Sequence, residues 1–294
     1  MQKKSYTKYL LALLLFGSNG IVAANISLSS YEIVLLRTLI GSLLLIAIYL
    51  STRPKISFYK HKRSLLFLVI SGVAMGVSWM SLFEAYQQIG VSISTLVYYC
   101  GPVIVMALSP ILFHEKLTPI RIVGFVAVLI GIFFINNQAF GSGLPSTGLL
   151  FAGISAVMYA VMVIFNKKST KIVGLENATV QLFVSFIAVA VFVGFKQGFV
   201  IHVTSEDWIP LLILGLLNTG IGCYLYFSSI GKLPAQTVAI CGYLEPLSAV
   251  VFSALFLHEI LSPLQMVGAA LIIGGAVLGE FFIKRKNNTS DLRK

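Results

Sequence analysis

Charge is scarce in this sequence. Asp, Glu, Lys and Arg make up 11% of its 294 residues, against about 25% in an ordinary soluble domain. With 57% hydrophobic residues and a mean hydropathy of +0.94, the shortage excludes a water-soluble fold. It leaves a chain that crosses a bilayer many times. Acidic residues are the scarcest, 10 against 21 basic ones, for a net charge of +11. The basic residues stand between apolar runs, as a membrane protein requires on its cytoplasmic side, so no nucleic-acid partner is expected. Cysteine is rare as well. Cys100, Cys223 and Cys241 lie inside apolar segments without metal-ligand spacing, so they read as small packing residues, with no metal site and no structural disulfide. Catalytic signatures are missing too. There is no Gly-Lys-Ser/Thr phosphate loop and hence no built-in ATPase, no Gly-x-Ser-x-Gly elbow and no His-Glu-x-x-His pair. Neither enzymatic activity nor a cofactor is expected. Strand alternation is also absent. With no water in the bilayer core, backbone groups pair within their own segment, so the apolar runs are read as helices.

Ten such runs are present, at about 8–27, 31–51, 64–87, 91–113, 118–137, 145–166, 174–195, 208–231, 235–257 and 262–283. Each is close to the ~20 residues that span ~30 Å of hydrocarbon as helix. The first has the form of a signal peptide, with Lys3, Lys4 and Lys8 before it and Val22-Ala23-Ala24 near its end. Removing it leaves a repeat one helix short, so it is read as helix 1. With the N-terminus in the cytoplasm, 19 of the 21 Lys and Arg residues fall inside, Lys196 falls outside and Arg37 lies within a helix. That separation predicts an N-in, C-in topology.

What orders these helices is a duplication. Leu112-Phe113-His114-Glu115-Lys116-Leu117-Thr118-Pro119 returns as Phe256-Leu257-His258-Glu259-Ile260-Leu261-Ser262-Pro263, at an offset of 144 residues. At the same offset Tyr99 falls on Tyr243, Pro102 on Pro246, Gly124 on Gly268 and Gly131 on Gly275. Upstream, Phe83 falls on Phe227 and Glu32 on Glu176. Each copy holds five helices. Five is odd, so the second copy enters the membrane from the opposite side. Residues 1–140 and 141–294, the latter ending in a short basic tail, are thus expected to be two inverted repeats. Inverted repeats are a mark of secondary transporters, whose substrate site lies at the repeat interface near the midplane and whose access alternates by rocking.

The motifs Tyr243-Leu244-Glu245-Pro246, His258-Glu259, Ser262-Pro263, Gly268 and Gly275, with first-copy echoes Gly101-Pro102, His114-Glu115, Thr118-Pro119, Gly124 and Gly131, resemble the EamA-type unit of the drug/metabolite transporter superfamily. Phe16-Gly17-Ser18-Asn19 is similar to the family's Trp-Gly-Ser-Asn, with Phe16 in place of Trp, and Arg37 resembles an arginine of its second helix. The resemblance covers nearly the whole chain. It implies an all-α membrane protein of ten helices in two inverted five-helix halves, and export or exchange of small metabolites, amino acids among them.

Single residues carry two readings each. Glu115 and Glu259, with His114 and His258, sit at helix ends as gate charges or as interfacial groups capping the next helix. Glu245 lies inside an apolar segment beside Pro246, and an ionisable group at depth marks a pathway or a buried hydrogen-bonded carboxyl. Arg37 and Glu84 offer a coupling site or a structural ion pair. Trp79, Tyr98, Tyr99, Tyr159, Tyr224, Tyr226 and Tyr243 are aromatic walls or ordinary packing. Asn19 and Gln181 bond substrate or a neighbouring helix, and Gly72-x-x-x-Gly76 reads as close helix approach.

The expectation is an inner-membrane metabolite transporter with a cavity lined from predicted helices 1, 3, 4, 6, 8 and 9. Asn19, Trp79, Tyr98, Tyr99, Tyr159, Tyr243 and Glu245 are its substrate contacts. The substrate is a small zwitterion or organic cation, with amino acids first. Proton coupling and a dimer are compatible with the sequence, as is a monomer. A non-transporting scaffold or receptor is the alternative, and a membrane-embedded transferase, which needs a polar cluster at one interface, ranks below it.

Overall fold

A computed structural model describes residues 2–52, 57–135, 146–256 and 262–291. Among these residues every regular element is helical. The predicted first run is broken at Ser18 into α1 (Gln2–Gly17) and α2 (Asn19–Ala23). α3 (Ser30–Ser51) opens with a capping box: the Ser29 amide donates to the Glu32 carboxylate at 2.8 Å and the Glu32 amide to Ser29 Oγ at 3.4 Å. A 3₁₀ turn (Phe58–Lys60) leads into α4 (Lys62–Tyr98), which covers two of the predicted runs without a break in helical pattern. It is not straight. Thr95 Oγ1 donates to the Tyr86 hydroxyl at 3.3 Å, although a straight helix sets these residues ~13 Å apart along the axis, beyond side-chain reach. The axis therefore bends between them.

α5 (Cys100–Phe113) and α6 (Pro119–Ile135) follow. Beyond residue 145 come α7 (Ser146–Lys168), α8 (Leu175–Lys196), and α9 (Trp208–Leu212), which continues through a π-helical stretch (Ile213–Ile221) into α10 (Gly222–Ile230). α11 (Ala235–Gly242), α12 (Leu244–Phe256) and α13 (Pro263–Asp291) complete the chain. The breaks before α5 and before α12 fall at Tyr99 and Tyr243, the repeat-equivalent tyrosines three residues ahead of Pro102 and Pro246. Proline has no N–H to continue the ladder, which explains interruption at both places. Among the described residues, six stretches are long and apolar enough to cross a membrane: Lys3–Ala23, Ser30–Ser51, Lys62–Ile89, Ser146–Lys168, Leu175–Lys196 and Trp208–Ile230. Cys100–Phe113, Pro119–Phe134 and Met266–Leu278 are shorter apolar helices.

The most extensive contacts all pair an element before residue 136 with one after 145: α4 on α7, α6 on α13, α3 and α4 on α8, α1 on α10 and α12. Lipid is as apolar as the side chains, so close packing and polar contacts hold such pairs. At the α6–α13 crossing the repeat meets itself. A Cβ on Gly131 would stand 2.6 Å from the Gly268 carbonyl, and one on Gly275 would strike the Gly124 carbonyl. Side-chain-free positions are what allow this approach. Between α4 and α7, Ser71 Oγ donates to the Met162 carbonyl at 2.7 Å, and Ser78 and Ser155 hydroxyls reach each other's carbonyls at 2.9 and 2.8 Å.

Candidate functional site

A cavity of about 730 Å³ lies between the two halves. The break at Ser18 shapes one side. Asn218, in the π-helical stretch, donates to Leu15 O, Ser18 Oγ and Asn19 Oδ1 at 2.9, 2.9 and 3.0 Å. It satisfies the acceptors freed where α1 stops, and it fixes Asn19 at the wall. Aromatic rings make up much of the rest. Tyr98 stacks edge-on against Tyr159, with centroids 5.4 Å apart, and Tyr159 and Tyr226 hydroxyls lie 3.3 Å from each other. Met75, Met162, Leu82 and Phe227 also line it.

One cation and one anion enter this wall. Arg37 of α3 is 7% exposed. Its Nε donates to Thr219 Oγ1 at 2.8 Å and an Nη to Asn19 Oδ1 at 3.4 Å, and its guanidinium lies 5.0 Å from the centre of the Trp79 ring. All these partners are neutral. Glu245, one residue into α12 and beside the break at Tyr243, is the acidic lining residue. Among the described residues its carboxylate accepts no hydrogen bond and makes no ion pair; the ion pair found there joins Lys196 to Glu84 at 2.9 Å.

The expected substrate contacts are therefore mostly brought together. Asn19, Trp79, Tyr98, Tyr99, Tyr159 and Glu245 all line the cavity. Tyr243 does not. It is fully buried behind Tyr99, donating its hydroxyl to the Tyr99 carbonyl at 2.6 Å with the rings 5.8 Å apart. Repeat-equivalent tyrosines meet here, so Tyr243 supports the floor rather than forming it. Glu84 also lies away from the cavity. It binds Lys196 and Gln88 and not Arg37. α3, which is the second predicted run and absent from the expected lining helices, supplies Ser30, Ile33 and Arg37.

The two faces of the molecule differ. Asp207 and Ile230 stand at opposite ends of the stretch through α9 and α10, so groups around them lie on opposite faces. Near Ile230 the fold is sealed by polar contacts. α5 ends at His114 in the left-handed conformation (φ 54°), a position usually given to glycine. That turn aims Glu115 at the first N–H groups of α11, Ala235 N at 2.5 Å and Gln236 N at 3.0 Å. Of the two readings of Glu115, gate charge or cap of the next helix, the second put it on the adjacent helix; the helix it caps here is from the other half. Gln236 bonds Ser109 Oγ at 3.0 Å and Arg121, and Lys167 donates to the carbonyls of Ile230 and Leu233. Just inside, Tyr9 donates to Val238 O at 2.8 Å. His258 and Glu259 lie outside the described residues.

Near Asp207 the cavity approaches the other face, past Ala24, Ile26 and Leu28 of the connection between α2 and α3. Asp207 accepts from Ser27 N at 2.7 Å, from Thr204 N and from both hydroxyls, which holds this connection. The backbone N–H of Ser27 and the Thr204 hydroxyl stabilise the ionised form and hold its pKa down at about 2.

Asp207, Asn218 and Thr219 were not singled out from sequence. The Asn218-Thr219 pair inside an apolar run was the available signal. Thr219 donates to Leu214 O at 2.8 Å, five residues back, within the π-helical pattern. Such stretches recur at functional sites.

The EamA-like transporter family model matches this chain twice, at residues 4–137 and 146–279. An uncharacterized transporter, YxxF of Bacillus subtilis, is 26% identical over 274 residues, covering 92% of this chain and 88% of its own. The threonine/homoserine exporter RhtA of Escherichia coli is 24% identical over 264 residues, covering 87% and 84%. A protein of known crystal structure superposes with a TM-score of 0.83 at 18% identity, covering 97% of this chain and 99% of its own, a likeness of fold.

Proposed function

This chain belongs to the EamA-like transporter family, and from that premise we propose that it carries a small zwitterionic or cationic metabolite, amino acids first, outward across the cell membrane by alternating access. It is a multi-pass membrane protein. Residues 1–140 and 141–294 act as inverted halves of five helices each, with both termini in the cytoplasm. The observation that carries the reading is the cavity of about 730 Å³ walled from both halves, with a cluster of aromatic rings in its lining and with Arg37 and Glu245 in it. On the proposed topology the sealed face, with Glu115 and Lys167, is cytoplasmic and the cavity faces outward. The opposite state breaks the Glu115 cap and exposes the cavity to the cytoplasm. The similarity to RhtA supports an amino acid and supports export.

Transport into proteoliposomes tests this. Radiolabelled pools of amino acids, amines, nucleosides and sugar phosphates are offered separately. The expected result is one pool carried above empty liposomes, and loss of that carriage when Ala249→Trp fills the cavity while the thermal midpoint stays near wild type. No pool carried, or a filled cavity that still transports, refutes the reading.

A further inference from the structure

The two charges in the cavity lie where the duplication departs from itself. At the 144-residue offset, Arg37 corresponds to Gln181 and Glu245 to Gly101. Both counterparts are packing positions. Gln181 is fully buried and accepts from Asn166 at 3.2 Å. A side chain at Gly101 would come within 2.9 Å of the Ala156 carbonyl. Symmetric glycines, by contrast, hold the scaffold where the halves cross: Gly131 with Gly275. Two opposite charges thus stand, one per half, where the other copy has a neutral packing residue.

Neither makes an ion pair among the described residues. Arg37 presents five N–H donors, and two of them meet acceptors, the Thr219 hydroxyl and the Asn19 amide oxygen. The Trp79 face steadies the guanidinium without cancelling its charge. Glu245 has no hydrogen-bond donor or ion pair among the described residues. The two side chains are also farther apart than the 4.0 Å of an ion pair. An uncompensated charge at membrane depth is costly, and a close ion pair would offset part of that cost. Here both remain open toward one cavity.

We infer that Arg37 and Glu245 are the two ends of a zwitterion clamp, with Arg37 holding the carboxylate and Glu245 the ammonium of one amino-acid-class solute. This rests on the proposed transport through the cavity and adds the polarity of the bound solute. The forked guanidinium suits a carboxylate, which takes two parallel N–H bonds. Thr219 and Asn19 hold the fork at its Nε and at one Nη, which leaves the remaining N–H groups for the solute. Tyr98, Tyr159 and Tyr226 supply the wall for the side chain. The clamp also gives discrimination. A solute lacking either charge leaves the other residue buried and unpaired, which penalises it far more than a missing methylene would.

The test is a binding series on the purified full-length wild-type protein. The probes are the 20 L-amino acids, each with its decarboxylated amine and its deaminated acid, and binding is read as a rise in thermal midpoint. At least one amino acid is expected to bind, with each truncated partner weaker by at least tenfold. Glu245→Gln is then expected to bring the deaminated acid level with the amino acid, and Arg37→Gln to do the same for the amine. The wild-type series does not depend on either variant folding. An amine or acid that binds wild type as tightly as its parent overturns the clamp. So does a protein that carries nucleosides or sugar phosphates and binds no amino acid, although transport through the cavity then stands. If no pool is bound or carried, both proposals fall.

Discussion

The two halves of this molecule agree at positions that hold it together and disagree at several that enclose the cavity, although Phe83 and its repeat partner Phe227 line it alike. Gly131 and Gly275 do matching work at matching places, the breaks at Tyr99 and Tyr243 fall at matching positions, and these two tyrosines pack against each other. Trp79 stands opposite Cys223, Tyr98 opposite Gly242, Arg37 opposite Gln181 and Glu245 opposite Gly101. Duplication supplies a scaffold whose two copies pack against one another. Divergence between the copies supplies the chemistry. Glu32 and Glu176 show the same principle outside the cavity. Glu32 caps its own helix, whereas Glu176 accepts from Ser57 N at 2.6 Å and Phe58 N at 2.8 Å and anchors a distant turn.

Forcing the halves to match is the severest challenge to this contrast. Gln181→Arg places a charge at a packing position with no cavity to receive it, at a cost of about 3–5 kcal/mol. Loss of monodisperse protein in size-exclusion chromatography is the expected outcome. Next comes the symmetric crossing. Gly131→Val drives a side chain into the Gly268 carbonyl and is expected to destabilise by about 1–3 kcal/mol, seen as a lower thermal midpoint. The sealed face is less demanding. Glu115→Ala removes the acceptor for two N–H groups of α11, a capping loss of about 1 kcal/mol, and lowers the midpoint by a few degrees. Asp207 gives the smallest effect. Its pKa in the folded protein is depressed to about 2, so its stabilisation is present above the ordinary aspartate value of about 4 and fades as pH falls toward 2. Thermal midpoints measured across that window are expected to fall more steeply for wild type than for Asp207→Asn.

Much of this was legible in the sequence. Hydropathy exposed the helical runs, and the offset of 144 exposed the scaffold, because packing positions repeat and repetition is visible in one chain. Asn19, Trp79, Tyr98, Tyr99, Tyr159 and Glu245 were recognised because polar or aromatic groups inside apolar runs need a reason. What was missed depends on direction. Symmetry correctly drew Tyr99 and Tyr243 together, but not which of them faces the cavity. Glu115 caps a helix from the other half, a contact that sequence distance hides. α4 turns within a continuous helical pattern, so the gap expected between the runs 64–87 and 91–113 is not a loop. Glu84 found Lys196, a partner 112 residues away, rather than Arg37.

Glu245 and Tyr243 sit two residues apart, on opposite sides of the contrast. Transport of the solute pool that wild type carries, measured for Glu245→Gln and Tyr243→Phe in matched proteoliposomes alongside thermal midpoints, tests the central claim most directly. Glu245→Gln is expected to lose at least tenfold in rate with little change in midpoint. Tyr243→Phe gives up one buried hydrogen bond, about 1 kcal/mol, and is expected to lower the midpoint while transporting at the wild-type rate. Wild-type transport by Glu245→Gln, or loss of transport confined to Tyr243→Phe, would contradict the assignment of the site to the positions where the two halves differ.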